Sequence, residues 1–501
     1  MEEVPVSGAA CGPGGFPGSS GDIGGPGASE AVRGSGALRA LGPNPVIVLG
    51  LSPGGLYLVR ALAEAGVMVY GVTHKNESGI YSKYLGGGRG WKNIGDGELI
   101  RRIAGLAETH GAAPLLLPSS DRYIEWISEH SGELEPVARF SKSYRPDRYA
   151  RLLDKDLFYK ACEQIGVPYP RRLRLADFLA GAVAGAGRPI PQAGGTTPPL
   201  NFPLLIKPGR LHEVTDVMGS RKVFVCRDED ELRSRADRLP KDRGGWLVQE
   251  IVEGPDDAIY CLGGVHRVGT PASREQAGGV HTGGGRIAAR IAGIGRIKAR
   301  IAGRKLRQFP AGFGTAAALR LESPPDHLWK DTAALLDALE VDGIFEIEFK
   351  LDSRDGLWKV FEINPRTALW FGAARAAGVP LAETAYSMHT GCEPAAAAAV
   401  AGTETGSGQE GRPIVWRTGL KNIIAVGAGT LRGQRRRVGM TGKAGRKSIP
   451  SWAFWEADDP FPLHMELVGY FGKVVRRVWK KMGGRIGGRK GIGPAGRRGK
   501  K

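Results

Sequence analysis

Four oxygen-bearing side chains, Glu346, Glu348, Glu362 and Asn364, stand in two short apolar stretches separated by a turn signal. Residues two apart in an extended strand share a face, so Glu346 with Glu348, and Glu362 with Asn364, project from one side of their strands. The flanking residues Ile344, Phe345, Ile347, Phe349, Val360, Phe361 and Ile363 are apolar. This pattern predicts a hairpin that pairs residues 343–351 with 357–363 across the turn Asp352-Ser353-Arg354-Asp355-Gly356. A single acidic pair on a hairpin most often points into solvent. Carboxylates in largely buried strands instead need a cation or hydrogen-bond partners. Hard oxygen donors of this kind suit Mg²⁺, which usually binds through one or two carboxylates together with substrate phosphates. Lys207 offers the complementary half. It ends the apolar run Pro203–Pro208 and precedes a loop containing Gly209, Gly219 and Ser220. A lysine there can hold nucleotide phosphates while the loop covers them, although an isolated solvated lysine gives the same pattern.

The elements that must position these groups form an α/β chain. Val46–Leu49 reads as a buried strand, Gly50–Gly55 as a tight turn and Leu56–Ala65 as an amphipathic helix stopped by Gly66. A strand over 67–72, a helix over 97–109 and a strand over 114–117 follow. That alternation predicts a parallel, doubly wound, Rossmann-like sheet over residues 45–145. The turn Gly50-Leu51-Ser52-Pro53-Gly54-Gly55 does not match G-x-G-x-x-G, so a close-packed structural turn competes with a phosphate loop. Beyond it the pattern gives a helical stretch over 151–165, a loop insertion over 179–200, strands at 203–208, 222–226 and 246–251, and a helix over 331–339 before the hairpin.

Composition bounds the function. The 501 residues carry 70 Lys and Arg against 51 Asp and Glu, a net charge of +19. The basicity is local. Residues 431–501 hold 19 basic and 4 acidic residues, residues 267–307 hold 10 and 1, and the remainder nets about −5. The basic segments lack interleaved aromatic residues, which argues against nucleic acid as the partner. Residues 470–482 alternate apolar and basic positions at helical spacing, which suits an anionic membrane surface, or else a capping helix with solvated cations. Residues 1–44 and 483–501 are too rich in Gly and Pro to offset the entropy of ordering, and are expected to be disordered tails. No apolar run reaches membrane-spanning length, no secretory pattern opens the chain, and the five cysteines form no C-x-x-C pair. A cytoplasmic protein, at most peripheral to a membrane, is expected.

The segments "LLIKP" at Lys207, "WLVQEIVEGPDD", "GIFEIEFK" and "VFEINPR" stand in an order that resembles the ATP-grasp superfamily over residues 45–392. The resemblance implies a two-lobed α+β ATP-grasp domain over 146–400 after the Rossmann-like domain, then an extension over 401–482. It implies ATP and Mg²⁺ (or Mn²⁺) as cofactors. Lys155 and Lys207 would contact phosphates. Gln249, Glu250 and Val252 would lie along adenine, with Glu250 near its exocyclic amine and Asp256 at the ribose. Glu348, Glu362 and Asn364 would hold the metal. Arg366 would face the transferred phosphoryl group or the acyl phosphate. The segment Arg304–Gln308, with Lys305 and Arg307, would face the carboxylate substrate.

Within the superfamily, "RKLRQFP", "FEINPRTALWFGAARAAGVPL" and "ADDPFP" resemble the carboxylate-amine ligase branch that includes D-aspartate ligases. The function so implied is an ADP-forming carbon-nitrogen ligase that joins a small carboxylate to an amine through an acyl phosphate. A biotin-type carboxylase or carbamoyl-phosphate-like subunit is the alternative within the superfamily, and a non-catalytic ATP-binding or anionic-surface adaptor the alternative outside it. Residues 267–303 depart from the family pattern. Their repeat, Arg286–Gly293 and Arg296–Gly303, reads as low-complexity expansion in preference to a short basic amphipathic helix pair, and leaves open the pairing between the strand at Tyr260 and Lys305.

Overall fold

The computed structural model describes residues 43–88, 90–153, 155–180, 190–192, 195–197, 200–208, 223–240, 245–269, 296–392, 412–419, 422–426 and 448–486. The terminal tails, the loop 209–222 after Lys207 and the first copy of the basic repeat lie outside the described residues, except for 43, 44 and 483–486.

The first sheet is parallel. Its strands are β1 (Val46–Leu49), β2 (Val69–Thr73), β3 (Trp91–Lys92) and β4 (Leu115–Pro118), in the order β3-β2-β1-β4. Helices Pro53–Glu64, Asp96–His110 and Asp121–Glu129 connect or follow them, within a residue or a few of the sequence expectation. β1 is an unbroken run of four fully buried apolar residues, as a strand covered on both faces requires. The turn at Gly50–Gly55 is closed by packing. A Cβ on Gly55 would lie 2.0 Å from the Gly50 carbonyl oxygen, and one on Gly54 would lie 2.6 Å from that of Ala368. Close approach of backbone, with no loop left open, explains those glycines.

The second sheet is antiparallel: β5 (Arg172–Arg174), β8 (Leu204–Pro208), β9 (Phe224–Cys226) and β10 (Trp246–Glu250), in the order β5-β10-β8-β9. A separate hairpin, β6 (Ile190–Gln192) with β7 (Gly195–Thr197), lies within the expected loop insertion. The third sheet has seven strands in the order β15-β14-β11-β12-β13-β16-β17. These are β11 (Ile259–His266), β12 (Ile297–Phe309), β13 (Thr315–Leu321), β14 (Gly343–Leu351), β15 (Trp358–Asn364), β16 (Ile414–Arg417) and β17 (Ile449–Trp452).

One expectation is corrected here. The second copy of the basic repeat is strand, not low-complexity expansion. Ile297–Gly303 forms the first half of β12, and Tyr260 pairs with Arg304 and Cys261 with Gly303 in direct antiparallel register. Alternation of Ile and Ala with Arg suits a strand whose apolar positions, Ile297, Ile301 and Ala302, are buried.

The C-terminal extension packs back onto the first domain. Asp459, in the segment "ADDPFP", is 1% exposed and accepts from Arg60 Nε at 2.9 Å, Ser82 Oγ at 2.7 Å and Lys83 N at 3.1 Å. Asp459→Ala leaves the buried Arg60 guanidinium without its carboxylate. It should cost about 3 kcal/mol or more of stability in urea unfolding. A loss below about 1 kcal/mol would show that this ion pair is not what anchors the extension.

Candidate functional site

A cavity opens between the second and third sheets. Leu205 and Lys207 of β8 and Gln249 of β10 line one wall, while Lys305 and Gln308 of β12, Glu348 and Lys350 of β14, and Glu362 and Asn364 of β15 line the other. Leu152, Phe158, Val252, Phe313, Phe361 and Asp121 complete it.

The acidic cluster forms because β14 and β15 pair in the register Glu346 to Asn364 and Glu348 to Glu362, while β11 brings Cys261 opposite Glu348. The ligand atoms of Cys261, Glu346 and Glu348 lie within 4.8 Å of one another. Lys305 Nζ donates to Glu348 Oε2 at 2.6 Å, with both side chains buried. Trp370 Nε1 and Asn364 Nδ2 donate to the two oxygens of Glu346, at 2.5 and 2.9 Å. Burial and then the charge of Glu348 push the Glu346 carboxyl up to about 7. The clustered carboxylates thus face the Lys305 ammonium and, beside Asn364, the Arg366 guanidinium. The donor set is oxygen-rich, and a divalent cation fits its charge.

The Glu346 shift has a signed consequence. Its folded-state value lies above the ordinary carboxyl range, so the metal-free protein is most stable when the group is protonated. It should lose on the order of 2 kcal/mol as pH rises from about 5 through 7. Urea midpoints across that range test this, and Mg²⁺ should flatten the slope. A metal-free stability that is constant or rising over the range would contradict the cluster's charge balance.

On the opposite wall, Lys207 Nζ donates to Tyr159 Oη at 3.1 Å, and Tyr159 Oη donates to Gln249 Oε1 at 3.0 Å. Lys207 is buried, not a solvated surface lysine. Lys155 opens the helix Lys155–Ile165, whose Phe158 reaches the cavity. Val252 lines the cavity and its carbonyl accepts from Lys350 Nζ at 2.8 Å. Asp256 stands just behind, accepting from Gln308 Nε2 at 2.9 Å.

Of the expected residues, Glu250 and Arg307 do not line the cavity, and Arg366 stands at its edge. Glu250 turns its carboxylate away from the cavity. It is 1% exposed and binds Arg171 Nε at 2.9 Å and Lys359 Nζ at 3.2 Å, in a network with Asp352. On β10, Leu247 pairs with Lys207 and Gln249 with Leu205, so alternation sends Glu250 to the other face. Arg366 stands beside the cavity wall, gripped in a two-point ion pair by Asp121 (Nε to Oδ1, 2.6 Å; Nη2 to Oδ2, 3.1 Å), and its Nη2 also donates to Asn364 Oδ1 at 3.0 Å. Arg307 sends Nε to Asn422 Oδ1 at 2.8 Å, outside the cavity wall.

The site also contains residues to which the motifs assigned no role: Asp121, Tyr159, Lys350 and Trp370. Only Asp121 carried a signal, as the residue just past the carboxyl end of β4, where ligands of parallel sheets gather.

No protein-family model matches the chain. In sequence it is similar to D-aspartate ligase of Enterococcus faecium, 25% identical over 268 residues that make up 50% of this chain and 53% of that protein. It is also similar to the N-terminal section of the carbamoyl phosphate synthase large chain of Methanopyrus kandleri, 22% identical over 376 residues, 70% of this chain and 57% of that protein. The chain thus spans just over half the length of these curated relatives. Among solved structures, N5-carboxyaminoimidazole ribonucleotide synthetase from Thermus thermophilus is 15% identical, with 70% of this chain and 79% of that chain covered and a TM-score of 0.46. The biotin carboxylase domain of Hydrogenobacter thermophilus 2-oxoglutarate carboxylase, in complex with MgADP, ADP and bicarbonate, is 14% identical, with 68% of each chain covered and a TM-score of 0.45.

Proposed function

Starting from its likeness in sequence to D-aspartate ligase and carbamoyl phosphate synthase, we propose that the chain is an ATP-grasp carboxylate ligase that joins a small carboxylate, such as an amino acid, to an amine and releases ADP. The observation that carries this reading is the convergence of Lys207, Lys305, Glu348, Glu362 and Asn364 on one cavity between two sheets. In this reading residues 45–145 are the preceding Rossmann-like domain and 146–400 the ATP-grasp domain.

A carboxylate oxygen attacks the γ-phosphorus of ATP, the bond to the β-phosphate oxygen breaks, and ADP leaves. The amine then adds to the acyl carbon, loses a proton, and expels inorganic phosphate. Lys207 and Lys305, one on each wall, supply positive charge to the phosphate oxygens where charge develops, the main requirement of phosphoryl transfer. Tyr159 and Gln249 hold Lys207 in place. Val252 and the backbone beyond β10 form the adenine-side edge, with Asp256 next to it. Glu348, Glu362 and Asn364 would hold Mg²⁺, which when bound neutralises the phosphates and aligns them. Arg366, fixed by Asp121 next to Asn364, stands where it can steady the acyl phosphate.

ADP release measured over a panel of carboxylates and amines, with and without Mg²⁺, tests the proposal. Carboxylate-stimulated, Mg²⁺-dependent release is expected, and its absence across the panel would sink it. The second relative motivates including bicarbonate. Release with bicarbonate alone would move the reading to a carbamoyl-phosphate-like activity.

We read the helix Phe461–Ile486 as the surface that meets anionic lipid. No helix among the described residues is long and apolar enough to cross a membrane. Five large apolar side chains of this helix, Phe461, Val468, Phe471, Val475 and Trp479, are 58–76% exposed and recur at 7-, 3-, 4- and 4-residue spacing, one stripe of the helix. Residues 467–501 contain 12 Lys and Arg and no acid, so two copies laid side by side would repel. Full-length protein should sediment with phosphatidylglycerol vesicles and not with phosphatidylcholine vesicles, and Val475→Glu with Trp479→Glu should abolish this. A dimer lost in the same variant, with no vesicle binding, would refute it.

A further inference from the structure

A second cavity, of about 530 Å³, shares no lining residue with the first. That volume is in the range of small-molecule sites. Four cations line it: Arg139, Lys142 and Arg145 from the stretch after the helix Ser131–Leu134, and Arg267 just past the end of β11. Glu135 and Asp342 are the acids of the lining, so two positive charges are left in excess. Among the described residues only Arg145 of these cations is ion-paired, to Glu135 at 2.8 Å. Arg267 Nη2 donates to the Met388 carbonyl at 3.0 Å, and neither Arg139 nor Lys142 has a carboxylate partner there.

The backbone that carries these side chains is fixed from several directions. Arg139 N donates to the Pro114 carbonyl and Leu116 N to the Arg139 carbonyl, both at 2.8 Å. Asp342 N donates to Ser143 Oγ at 2.6 Å, and Val268 N donates to Asp342 Oδ1 at 3.1 Å. The end of β11, the approach to β14 and the chain around Lys142 therefore meet at one place. Their cations surround a common hollow, where like charges reinforce one another's field on an incoming anion. His389, in the last turn of the helix Leu381–Thr390, completes the lining and has no hydrogen-bond partner among the described residues. Its Nε2 lies 3.2 Å from where a Cβ on Gly343 would stand, which holds the ring against the first residue of β14. Burial pushes the imidazole below its ordinary value; Asp342 opposes the fall, while Arg267 and Lys142 add to it.

We propose that this cavity binds the phosphate group of a second ligand, at a site separate from the nucleotide cavity. A phosphomonoester carries nearly two negative charges at pH 7 and three strong acceptor oxygens. That charge matches the excess of two cations, whereas a single carboxylate would leave one uncompensated. Guanidinium forks and an ammonium are the donors suited to such oxygens. The inference needs nothing from the ligase reading, because it concerns binding alone.

Thermal unfolding of the full chain, followed in chloride and at matched ionic strength in inorganic pyrophosphate and in acetate, tests it. Pyrophosphate should stabilise wild type beyond chloride, and acetate should not. The variant Arg139→Met, Lys142→Met removes two exposed cations, so its melting in chloride should match wild type. The pyrophosphate concentration that gives half the stabilisation should rise at least about tenfold in that variant. The site is overturned if wild type responds to pyrophosphate no more than to chloride or acetate. It is overturned equally if the variant melts early in chloride, which would make the two cations structural, or if it responds to pyrophosphate like wild type, which would put the anion in the nucleotide cavity. Sedimentation with phosphatidylglycerol vesicles separates two sources of the phosphate. Given a lost pyrophosphate response, vesicle binding retained by the variant assigns a soluble ligand and vesicle binding lost assigns a lipid headgroup, and the phosphate site stands in both cases.

Discussion

Glu362→Gln is expected to lower Mg²⁺-dependent ADP release by at least about 100-fold while the melting transition shifts little. Glu362 sits directly across from Glu348 in the β14–β15 register and lines the cavity. It offers a hard oxygen at the point where nucleotide phosphates and metal would meet. The amide keeps the shape and one acceptor, so what changes is charge. Its effect on folding should be modest for two reasons. The side chain is half-buried, unlike Glu346 and Glu348. Its negative charge also helps raise the Glu346 carboxyl, so neutralising it relieves repulsion within the cluster. ADP release and thermal unfolding, measured on one preparation, separate the two effects. Retention of more than about a tenth of wild-type turnover would show that Glu362 does not hold the metal. Loss of activity together with the fold would show that its role is structural.

The hairpin was legible because two-residue periodicity within apolar flanks leaves the acids only one face to occupy. Its observed strands are Gly343–Leu351, as expected, and Trp358–Asn364, shifted by one residue at each end. The parallel sheet was legible for the same reason, through Val46–Leu49 and the helices between strands. The partner of Glu348 was harder to read. Lys305 reaches it across β11, and that pairing spans a basic segment whose composition mimics low complexity. The strand also bulges between Lys305 and Arg307 and again before Gln308, so counting by twos from Lys305 mispredicts which later residues face the cavity. The orientation of Glu250 follows from the β8–β10 register. If Lys207 faces the nucleotide, its cross-strand partner Leu247 does too, and Gln249 follows by alternation, which puts Glu250 on the far side. Tyr159 had no such signal. Its role depends on where the helix Lys155–Ile165 lands against β8, and that is set by packing between distant segments.

Lys305→Met should destabilise the protein by about 3–5 kcal/mol, the largest stability effect expected of any single change in the site. Lys305 and Glu348 are 2% and 6% exposed, so water does little to screen either charge. Burial alone would lower the Lys305 ammonium, yet the charge of Glu348, together with their hydrogen bond, carries it well above its ordinary value. The methionine removes the one described ammonium in contact with the acids and leaves Glu348 buried beside Glu346 with no counter-charge in contact. Two further measurements distinguish this electrostatic cause from lost packing. The double variant Lys305→Met, Glu348→Met should recover much of the loss, because replacing both members of a buried pair by apolar groups of similar size is nearly neutral, whereas two independent packing defects would add. Mg²⁺ should also raise the melting temperature of Lys305→Met more than that of wild type, since a divalent cation at the acidic cluster replaces the missing charge. A single variant within about 1 kcal/mol of wild type, or a double variant less stable than the single, would show that the Lys305–Glu348 pair does not hold the cluster together.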